Sequence, residues 1–291
     1  MSSGKLAGQV ALVTGAGNGI GRGSAQRLAA EGARLVVVDI DGDAAARVAA
    51  ELPGEAMAVT ADVSDEAQVD ACTEAAVAAF GRIDLHHLNA GIFGTFAPVP
   101  DLPAQEFDRV LAVNVRGQFL GLRAAFRQFR AQGRPAGGPP GAIVLTASIA
   151  SLTGSADLLA YQASKHATLG LMHGAAMYGG PLGIRVNAVA PGIVPTDLFA
   201  AAASTAGGKN DMTQRAATTP LRRAGTPADI GAVVAFLLSA DAAYMTGQVV
   251  SVDGGATIVN TVRPSGGAGA WDPAAVDAAL YGASWNWSGN E

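Results

Sequence analysis

Cysteine and charge are both scarce in this sequence. Its 291 residues include one cysteine, Cys72, which excludes an intrachain disulfide and favours a reducing compartment. The Ala-rich stretch around Cys72 predicts that the thiol packs in a helix rather than acting in catalysis. Charged residues make up only 15% of the chain, which predicts that part of the surface is buried between subunits.

Clustered positive charge is also missing from the sequence. The chain has 19 basic and 24 acidic residues, a net charge of −5, and no dense Lys/Arg cluster. We therefore expect no nucleic-acid partner and no anionic membrane surface as a partner. The 4 histidines are not joined by acidic residues or cysteines at ligand spacing, so the sequence predicts no metal site.

Long apolar runs do not occur in the sequence. No uninterrupted run approaches the ~18 residues that are needed to cross a bilayer. The N-terminal stretch MSSGKLAGQVALVTG has no apolar region of the kind that a secretory signal requires. We expect a cytoplasmic protein that does not span a membrane.

Short β-branched runs alternate with longer Ala-rich amphipathic stretches along most of the chain. Several short runs are nearly continuous in apolar residues, which is typical of strands buried on both faces. The repeated strand-then-helix order predicts an α/β fold with a doubly wound parallel sheet of about seven strands and helices on both faces. The predicted strands span residues 9–14, 34–39, 56–60, 84–89, 142–148, 184–190 and 248–252.

A glycine-rich turn, TGAGNGIG at residues 14–21, directly follows the first predicted strand and opens a helix. Gly15, Gly19 and Gly21 bring bare backbone and a helix N-terminus together, which is an arrangement that binds a pyrophosphate. Asp39 ends the second strand, 18 residues beyond Gly21. This separation is close to the ~20 residues expected for a carboxylate that holds a ribose, so the pattern predicts a dinucleotide site.

Asp39 also predicts which dinucleotide binds. A carboxylate accepts hydrogen bonds from two ribose hydroxyls and repels a 2′-phosphate. Ile40 follows it and Asn18 lies in the glycine turn, so neither position supplies the arginine or lysine that a phosphorylated ribose would attract. The sequence therefore favours NAD over NADP as the cofactor.

Tyr161 and Lys165 are four residues apart in AYQASKHA and share one face if the segment is helical. A phenol with a pKa of about 10 transfers protons poorly at neutral pH. A positive charge ~4 Å away, at an effective dielectric of ~20, supplies roughly the 4 kcal/mol that lowers this pKa by ~3 units. The pair is either an acid–base device or two unrelated helix residues, because the spacing by itself is common.

A series of short motifs follows the predicted strands in order along the chain. They are TGAGNGIG, Asp39, DV at 62–63, NAG at 89–91, Ser148, YQASK, RVNAVAPG and TGQVVSVDGG. Their order resembles the short-chain dehydrogenase/reductase family, over about residues 6–258. The resemblance implies a single-domain Rossmann-type fold over residues 1–259 and an NAD-dependent oxidoreductase that interconverts a secondary alcohol and a ketone. Leu88 departs from the pattern, because family members often carry asparagine there, and we expect it to alter local packing without abolishing cofactor binding.

The resemblance also implies roles for individual residues. Tyr161 corresponds to the general acid/base, and Lys165 to the residue that lowers its pKa and holds the nicotinamide ribose. Ser148 corresponds to the hydroxyl that orients the substrate oxygen, and Asn114 to the residue that positions a water for proton relay. A strand-ending serine and a helix hydrogen-bonder are the structural alternatives for these two. The cofactor-binding residues implied are Gly15, Asn18, Gly19, Ile20, Gly21, Asp39, Ile40, Asp62, Val63, Asn89, Ala90, Gly91, Tyr161, Lys165, Pro191, Gly192, Val194 and Thr196.

A mobile substrate lid is implied at about residues 194–215, a stretch that is rich in small residues. The side chains expected near the substrate are mostly apolar, which favours a neutral, carbon-rich alcohol or ketone. They are Ser148, Phe93, Phe96, Ile149, Leu158, Leu198 and Phe199.

The oligomeric state and the role of the C-terminal stretch can also be predicted. Family members are commonly tetramers, so the resemblance implies a homotetramer joined by long helices at about residues 103–131 and 157–178 and by the C-terminal strand. Residues 260–291 extend past the usual family end and contain all 3 tryptophans. We expect an extension rather than an independent domain, packed across a subunit boundary or over the pocket mouth, or serving only as a surface strap.

Three alternative functions are compatible with parts of the pattern. A ketone or 3-oxoacyl reductase driven by NADPH is disfavoured by Asp39. An epimerase or dehydratase of the related sugar-nucleotide group is disfavoured, because such proteins usually have an extra C-terminal domain that this sequence does not suggest, and because the predicted lid is short. A catalytically silent NAD-sensing protein is disfavoured by the intact set of Asn114, Ser148, Tyr161 and Lys165.

Overall fold

The computed structural model describes residues 4–133, 141–155, 157–196 and 216–259. Seven strands of this described part form one parallel sheet in the order β3-β2-β1-β4-β5-β6-β7. The predicted α/β fold is confirmed, and the strand bounds lie within two residues of the predicted ones. The strands are β1 Val10–Thr14, β2 Arg34–Asp39, β3 Ala56–Thr60, β4 Leu85–Leu88, β5 Ala142–Thr146, β6 Arg185–Pro191 and β7 Val249–Val252.

Helices connect the strands and cover both faces of the sheet. A π-helical turn, Ala112–Arg116, joins α4 to α5. The α-helices of the described residues are α1 Gly19–Ala30, α2 Gly42–Glu51, α3 Glu66–Phe80, α4 Ala104–Leu111, α5 Gly117–Gln132, α6 Leu159–Gly179 and α7 Pro227–Leu238. Short 3-10 turns span Val99–Asp101, Ile149–Ser151, Gly180–Leu182, Ala240–Ala242 and Ala256–Ile258.

The core lies on both faces of the sheet because the strands are apolar almost throughout. On one face, Ile230 of α7 belongs to the same buried cluster as Val37 of β2. On the other face, Met172 of α6 clusters with Ile143 of β5. Cys72 of α3 is also buried in the core, and this burial raises the pKa of its thiol to about 12. Its position is that of a packing residue.

The sheet places a crevice at the carboxyl end of β1. This strand pairs with β2 on one side and with β4 on the other, so the chain crosses over in opposite directions from it. In open α/β sheets, ligands bind where the connections leave the carboxyl ends of the strands at such a switch point. The glycine turn and the loops after β4 and β5 all start there.

Arg185 at the start of β6 caps the C-terminal end of α7. Its side chain is buried, and its guanidinium donates hydrogen bonds to the carbonyl oxygens of Leu237 at 2.6 Å and Ser239 at 2.9 Å. A third bond reaches the carbonyl oxygen of Leu238 at 3.3 Å. The last carbonyls of a helix have no partner within the helix, and a cation at that end also interacts favourably with the helix dipole.

We expect Arg185→Met to lower the free energy of unfolding by about 2–4 kcal/mol, because it leaves buried carbonyls without donors. Urea unfolding followed by far-ultraviolet circular dichroism measures this loss. Arg47→Met is the matched control, because Arg47 is exposed on α2 and its loss should change stability by less than about 0.5 kcal/mol. Equal effects of the two substitutions would contradict the capping role.

Some predicted features fall outside the described residues. These are Leu198, Phe199, the part of the lid after Thr196 up to residue 215, and the stretch 260–291. In the part of the chain that the structure describes, no helix is both long enough and apolar enough to cross a membrane.

Candidate active site

The glycine turn opens the crevice and leads into α1. Asn18 is the N-cap of α1 but makes no side-chain hydrogen bond to the helix, so its side chain does not cap the first-turn N–H groups. Gly21 lies behind the turn, and a Cβ atom there would come within 2.0 Å of the Gly15 carbonyl oxygen. Gly21 is therefore needed for the close approach of α1 to the turn, and this turn presents backbone N–H groups in the way that suits a phosphate.

Asp39 and Ile40 form one end of the crevice. One carboxylate oxygen of Asp39 accepts a hydrogen bond from the backbone N–H of Gly17 at 2.8 Å, and the other accepts one from Asp41 at 3.0 Å. These bonds hold the carboxylate against the glycine turn. Ile40 is 70% exposed beside it, which leaves an apolar surface next to the position predicted for the ribose.

The ends of β3 and β4 line the same crevice. The carboxylate of Asp62 accepts hydrogen bonds from the backbone and the hydroxyl of Ser64 at 2.8 and 2.7 Å. The Asn89 side-chain amide donates to the carbonyl oxygens of Thr14 and Gly15, each at 3.1 Å. Asn89 thereby ties the end of β4 to the glycine turn and fixes the width of the crevice at this point.

Tyr161 and Lys165 both lie on α6, as their spacing predicts, and both line the crevice. Tyr161 is 8% exposed, and the Lys165 Nζ atom lies 5.5 Å from the centroid of its ring. Burial raises the pKa of the Tyr161 phenol to about 12, while a hydrogen bond with the Ser148 side chain lowers it. Ser148 also accepts a hydrogen bond from the backbone N–H of Ala150 at 3.1 Å, which orients its hydroxyl.

The expected lowering of the Tyr161 pKa by Lys165 is not produced by the protein's own groups. Burial lowers the pKa of Lys165 to about 8, and its ammonium donates a hydrogen bond to the Thr146 carbonyl oxygen at 2.8 Å. Desolvation thus disfavours the charged form of both side chains. The spacing of the two residues predicted the attraction between the Lys165 charge and the phenolate, but not the cost of burying both groups.

Asn114 lies in the π-helical turn and is fully buried. Its amide nitrogen donates to the carbonyl oxygen of Ile92 at 2.8 Å and to the Ser164 hydroxyl at 2.9 Å. Its amide oxygen accepts from the backbone N–H of Ile92 at 2.8 Å. Both donors are therefore used on protein groups, and Asn114 fixes the backbone beside the crevice rather than directing an N–H group at a water.

Two phenylalanines in the loop after β4 extend the site beyond Tyr161. The ring of Phe93 lies 4.4 Å from the Tyr161 ring, centroid to centroid, and stacks on Phe96 at 6.4 Å. Ile149 begins the 3-10 turn that follows Ser148, and Leu158 immediately precedes α6. Phe96, Ile149 and Leu158 are near the site but do not line the cavity itself.

The crevice is a cavity of ≈ 660 Å³, a size that suits a ligand of several hundred daltons. Its lining includes every implied cofactor-binding residue except Gly21, together with Ser148 and Phe93. The sequence did not predict several of the lining residues. Most of these are sequence neighbours of a motif residue, and that position is the signal that could have found them. They are Ala61, Ser64, Ile92, Arg109, Ala112, Val113, Thr146 and Ala147. Among the described residues, no group of three or more His, Cys, Asp or Glu side chains is placed to hold a metal ion.

The buried Lys165 predicts a pH-dependent stability. Its pKa in the folded protein is about 8 against an ordinary value of 10.5, so between these values the unfolded chain holds a proton that the folded protein has released. This group therefore makes the unfolding free energy rise with pH above 8, by a total of about 1–3 kcal/mol. We expect Lys165→Met to remove the rise and to increase stability at neutral pH.

Urea unfolding in steps from neutral pH to about pH 9 measures this slope, below the range in which the Cys72 thiol and the Tyr161 phenol of the unfolded chain release most of their protons. Lys5→Met is the control, because Lys5 is an exposed residue whose side chain is 61% accessible. A Lys165→Met protein that keeps the wild-type slope would show that the buried ammonium is not its source.

Comparison with known proteins places this geometry among oxidoreductases. A family model described as enoyl-(acyl carrier protein) reductase matches residues 15–257. Levodione reductase from Leifsonia aquatica is 41% identical, with 85% of this chain and 93% of the relative covered. Cyclohexanol dehydrogenase from Acinetobacter sp. (strain SE19) is 38% identical, with 88% and 97% covered.

A solved structure with the same fold carries a nicotinamide cofactor. It is a 3-ketoacyl-(acyl-carrier-protein) reductase from Brucella melitensis complexed with NADH. It is 37% identical, covers 87% of this chain and 99% of its own, and superposes with a TM-score of 0.79.

Proposed function

Because the chain belongs to the short-chain dehydrogenase/reductase family and is an oxidoreductase of alcohols and ketones, we propose that it works with NAD and uses Tyr161 as its acid/base. The single observation that carries this proposal is one cavity lined by two chemically distinct groups of residues. Tyr161, Ser148 and Lys165 line it together with Asp39 and the glycine turn. A dinucleotide bound there would extend from the phosphate-binding turn to the reacting group.

Proton transfer is the part of the reaction that the protein's own residues perform. A bound nicotinamide cofactor would supply the hydride transfer to or from the substrate carbon. Tyr161 takes the proton from the alcohol oxygen, or returns it to the ketone oxygen, while the Ser148 hydroxyl holds that oxygen in place. The Ser148 side chain lies close enough to the phenol to lower its pKa, so both hydroxyls can meet the same substrate oxygen.

Lys165 and Asn114 act around this proton transfer. The Lys165 ammonium, held by the Thr146 carbonyl, is placed to bind ribose hydroxyls and to stabilise the phenolate when the cofactor's positive ring is also present. Asn114 holds the Ile92 backbone, whose carbonyl oxygen retains a second lone pair for a water in the proton relay. The relay proposed for Asn114 is therefore indirect.

We infer a preference for NAD from Asp39. Its carboxylate is held against the glycine turn through the Gly17 N–H, where it accepts ribose hydroxyls and repels a 2′-phosphate. NADH in the 37% identical reductase supports this preference.

We infer a neutral, carbon-rich secondary alcohol or ketone as the substrate. Phe93 lines the cavity beside Tyr161 and stacks on Phe96, so the nearest side chains are apolar and flat. The relative named cyclohexanol dehydrogenase supports a ring-shaped alcohol as the first substrate class to test.

The proposal also includes the assembly and the location of the protein. We propose a cytoplasmic homotetramer whose catalytic domain spans residues 1–259, with residues 260–291 as an extension. Exposed apolar side chains at the C-terminal end of α6, Met177 and Tyr178, support burial of that surface between subunits.

A second candidate is reduction of a 3-oxoacyl substrate. The similarity to a 3-ketoacyl-(acyl-carrier-protein) reductase favours it, and the same Ser148 and Tyr161 chemistry would serve. A catalytically silent NAD-binding protein is the candidate from a different class, and it predicts tight NADH binding without turnover.

The test is the formation of NADH, followed by its near-ultraviolet absorbance, with a panel of cyclic and linear secondary alcohols. Each alcohol is offered with NAD and with NADP, and 3-oxoacyl thioesters are offered with NADH and NADPH. The proposal predicts turnover of alcohols with NAD. Turnover of the thioesters alone supports the second candidate, and NADH binding without any turnover supports the silent binding protein.

A further inference from the structure

His87 is a fully buried histidine in β4, below the crevice. Its Nε2 atom lies 2.9 Å from the Thr146 hydroxyl oxygen, whereas its Nδ1 atom makes no hydrogen bond within the described residues. Burial lowers the pKa of His87 to about 3, so the ring is neutral at physiological pH. A neutral ring carries one proton, and the surrounding hydrogen bonds decide which nitrogen holds it.

The direction of each hydrogen bond follows from Asn89. Its amide nitrogen donates to the carbonyl oxygens of Thr14 and Gly15, so its amide oxygen is the atom that faces the Thr146 hydroxyl at 3.0 Å. That oxygen only accepts, so the single hydroxyl proton of Thr146 is donated to Asn89. The Thr146 oxygen must then accept from His87, which places the imidazole proton on Nε2.

Thr146 connects this chain of hydrogen bonds to the reacting group. Its carbonyl oxygen accepts from the Lys165 ammonium at 2.8 Å and from the Gln118 side chain at 3.2 Å. Through its hydroxyl and its carbonyl, Thr146 thus touches His87, Asn89 and Lys165. Because each of these hydrogen bonds has only one possible direction, they fix the rotamer of Thr146 and restrict the side chains of His87, Asn89 and Lys165.

We propose that His87 is a positioning residue for this active site. As an Nε2–H imidazole it orients Thr146, and Thr146 sets the Lys165 ammonium and the Asn89 amide that braces the glycine turn. The importance of Lys165 rests on the proposed function, whereas the hydrogen-bond directions rest on the distances alone.

His86 provides a matched contrast on the same strand. It is also buried, but consecutive strand residues point to opposite faces, and its ring packs edge-on against Phe129 at 5.3 Å. Substitution of His86 therefore reports the cost of losing a buried imidazole from β4 without touching Thr146.

The first test is the tautomer of His87, read from the two ring-nitrogen signals of ¹⁵N-labelled protein by long-range ¹H–¹⁵N correlation. The His87→Gln protein assigns the signals by their loss. We expect one protonated nitrogen, Nε2, across the range from pH 6 to 8. A proton on Nδ1, or a charged ring in that range, would overturn the inference whatever the enzyme does.

The second test compares three variants in NADH binding and turnover. His87→Leu should weaken NADH binding roughly threefold to tenfold and lower kcat about tenfold, because Thr146 loses a donor. His87→Gln, whose amide nitrogen reaches the Nε2 position, should recover both values to within about twofold. His86→Leu should leave both within about twofold while lowering the melting temperature.

These outcomes separate positioning from general stability. A His87→Gln protein as impaired as His87→Leu, or a His86→Leu protein with the same loss of kcat, would contradict the positioning role. Wild-type protein that binds no NADH would instead overturn the proposed function, and the tautomer measurement would still decide the hydrogen-bond network.

Discussion

Tyr161→Phe is expected to lower kcat by roughly 10²–10⁴-fold, which is the usual contribution of a positioned acid/base. Phenylalanine keeps the ring that packs at 4.4 Å against Phe93 and removes only the hydroxyl that meets Ser148. NADH binding should change by less than about twofold, because an interaction made only in the transition state affects kcat rather than binding. Stopped-flow hydride transfer and NADH fluorescence titration measure the two effects.

Tyr178→Phe is the control for this result. Tyr178 lies on the same helix α6, is 59% exposed and does not line the cavity. Its substitution should leave kcat within about twofold. If Tyr161→Phe turned over as fast as Tyr178→Phe, Tyr161 would not be the acid/base, and the proposed mechanism would be wrong.

Asp39→Asn is expected to reduce the preference for NAD over NADP by about 10–200-fold in the ratio of kcat/KM values. Asparagine keeps one oxygen, which accepts the hydrogen bond from the Gly17 N–H and holds the turn in place, while its amide nitrogen gives up the bond that the Asp41 N–H donates to the other oxygen. The substitution removes the negative charge that repels a 2′-phosphate and weakens the bonds to two ribose hydroxyls. Most of the change should appear as a lower KM for NADP and a higher KM for NAD.

Asp41→Asn is the matched control for the change in charge. Asp41 lies two residues away and caps α2 by accepting from the Ala44 N–H at 2.9 Å, a role that asparagine performs equally well. It does not line the cavity, so the cofactor ratio should be unchanged. An Asp39→Asn protein with the wild-type ratio would show that the carboxylate charge does not choose the cofactor.

The sheet and its crevice could be predicted from the sequence because they depend on local patterns. The apolar runs of β1, β2 and β5 and the glycines of the turn determine where each strand ends. The strand order was not predicted and comes from the structure. Asp39 ends β2 and Asn89 directly follows β4, so their positions at the crevice were predictable from the chain order alone.

Burial and hydrogen-bond saturation were not predictable in the same way. The spacing of Tyr161 and Lys165 predicted their proximity, but not that burial would raise one pKa to about 12 and lower the other to about 8. Asn114 was predicted to position a water, yet its two N–H groups are used on Ile92 and Ser164. Both results depend on long-range packing, which periodicity does not describe.

The same reason explains why Thr146 and His87 were missed. Thr146 ends β5 without a motif of its own, and its carbonyl becomes the partner of Lys165 only when α6 packs on the strand. His87 belongs to no motif, and its contact with Thr146 could not be predicted because it joins residues 59 positions apart in the chain.

The most direct test of the account is whether hydrogen moves from the carbinol carbon of an alcohol to the nicotinamide ring of NAD. A cyclic secondary alcohol with deuterium on that carbon is incubated with the protein and NAD, and the NADH formed is analysed by mass spectrometry. The NADH should carry one deuterium, and no labelled NADH should form when Tyr161→Phe replaces the wild-type protein over the same time. Unlabelled NADH, or labelled NADPH from NADP with no reaction of NAD, would contradict it.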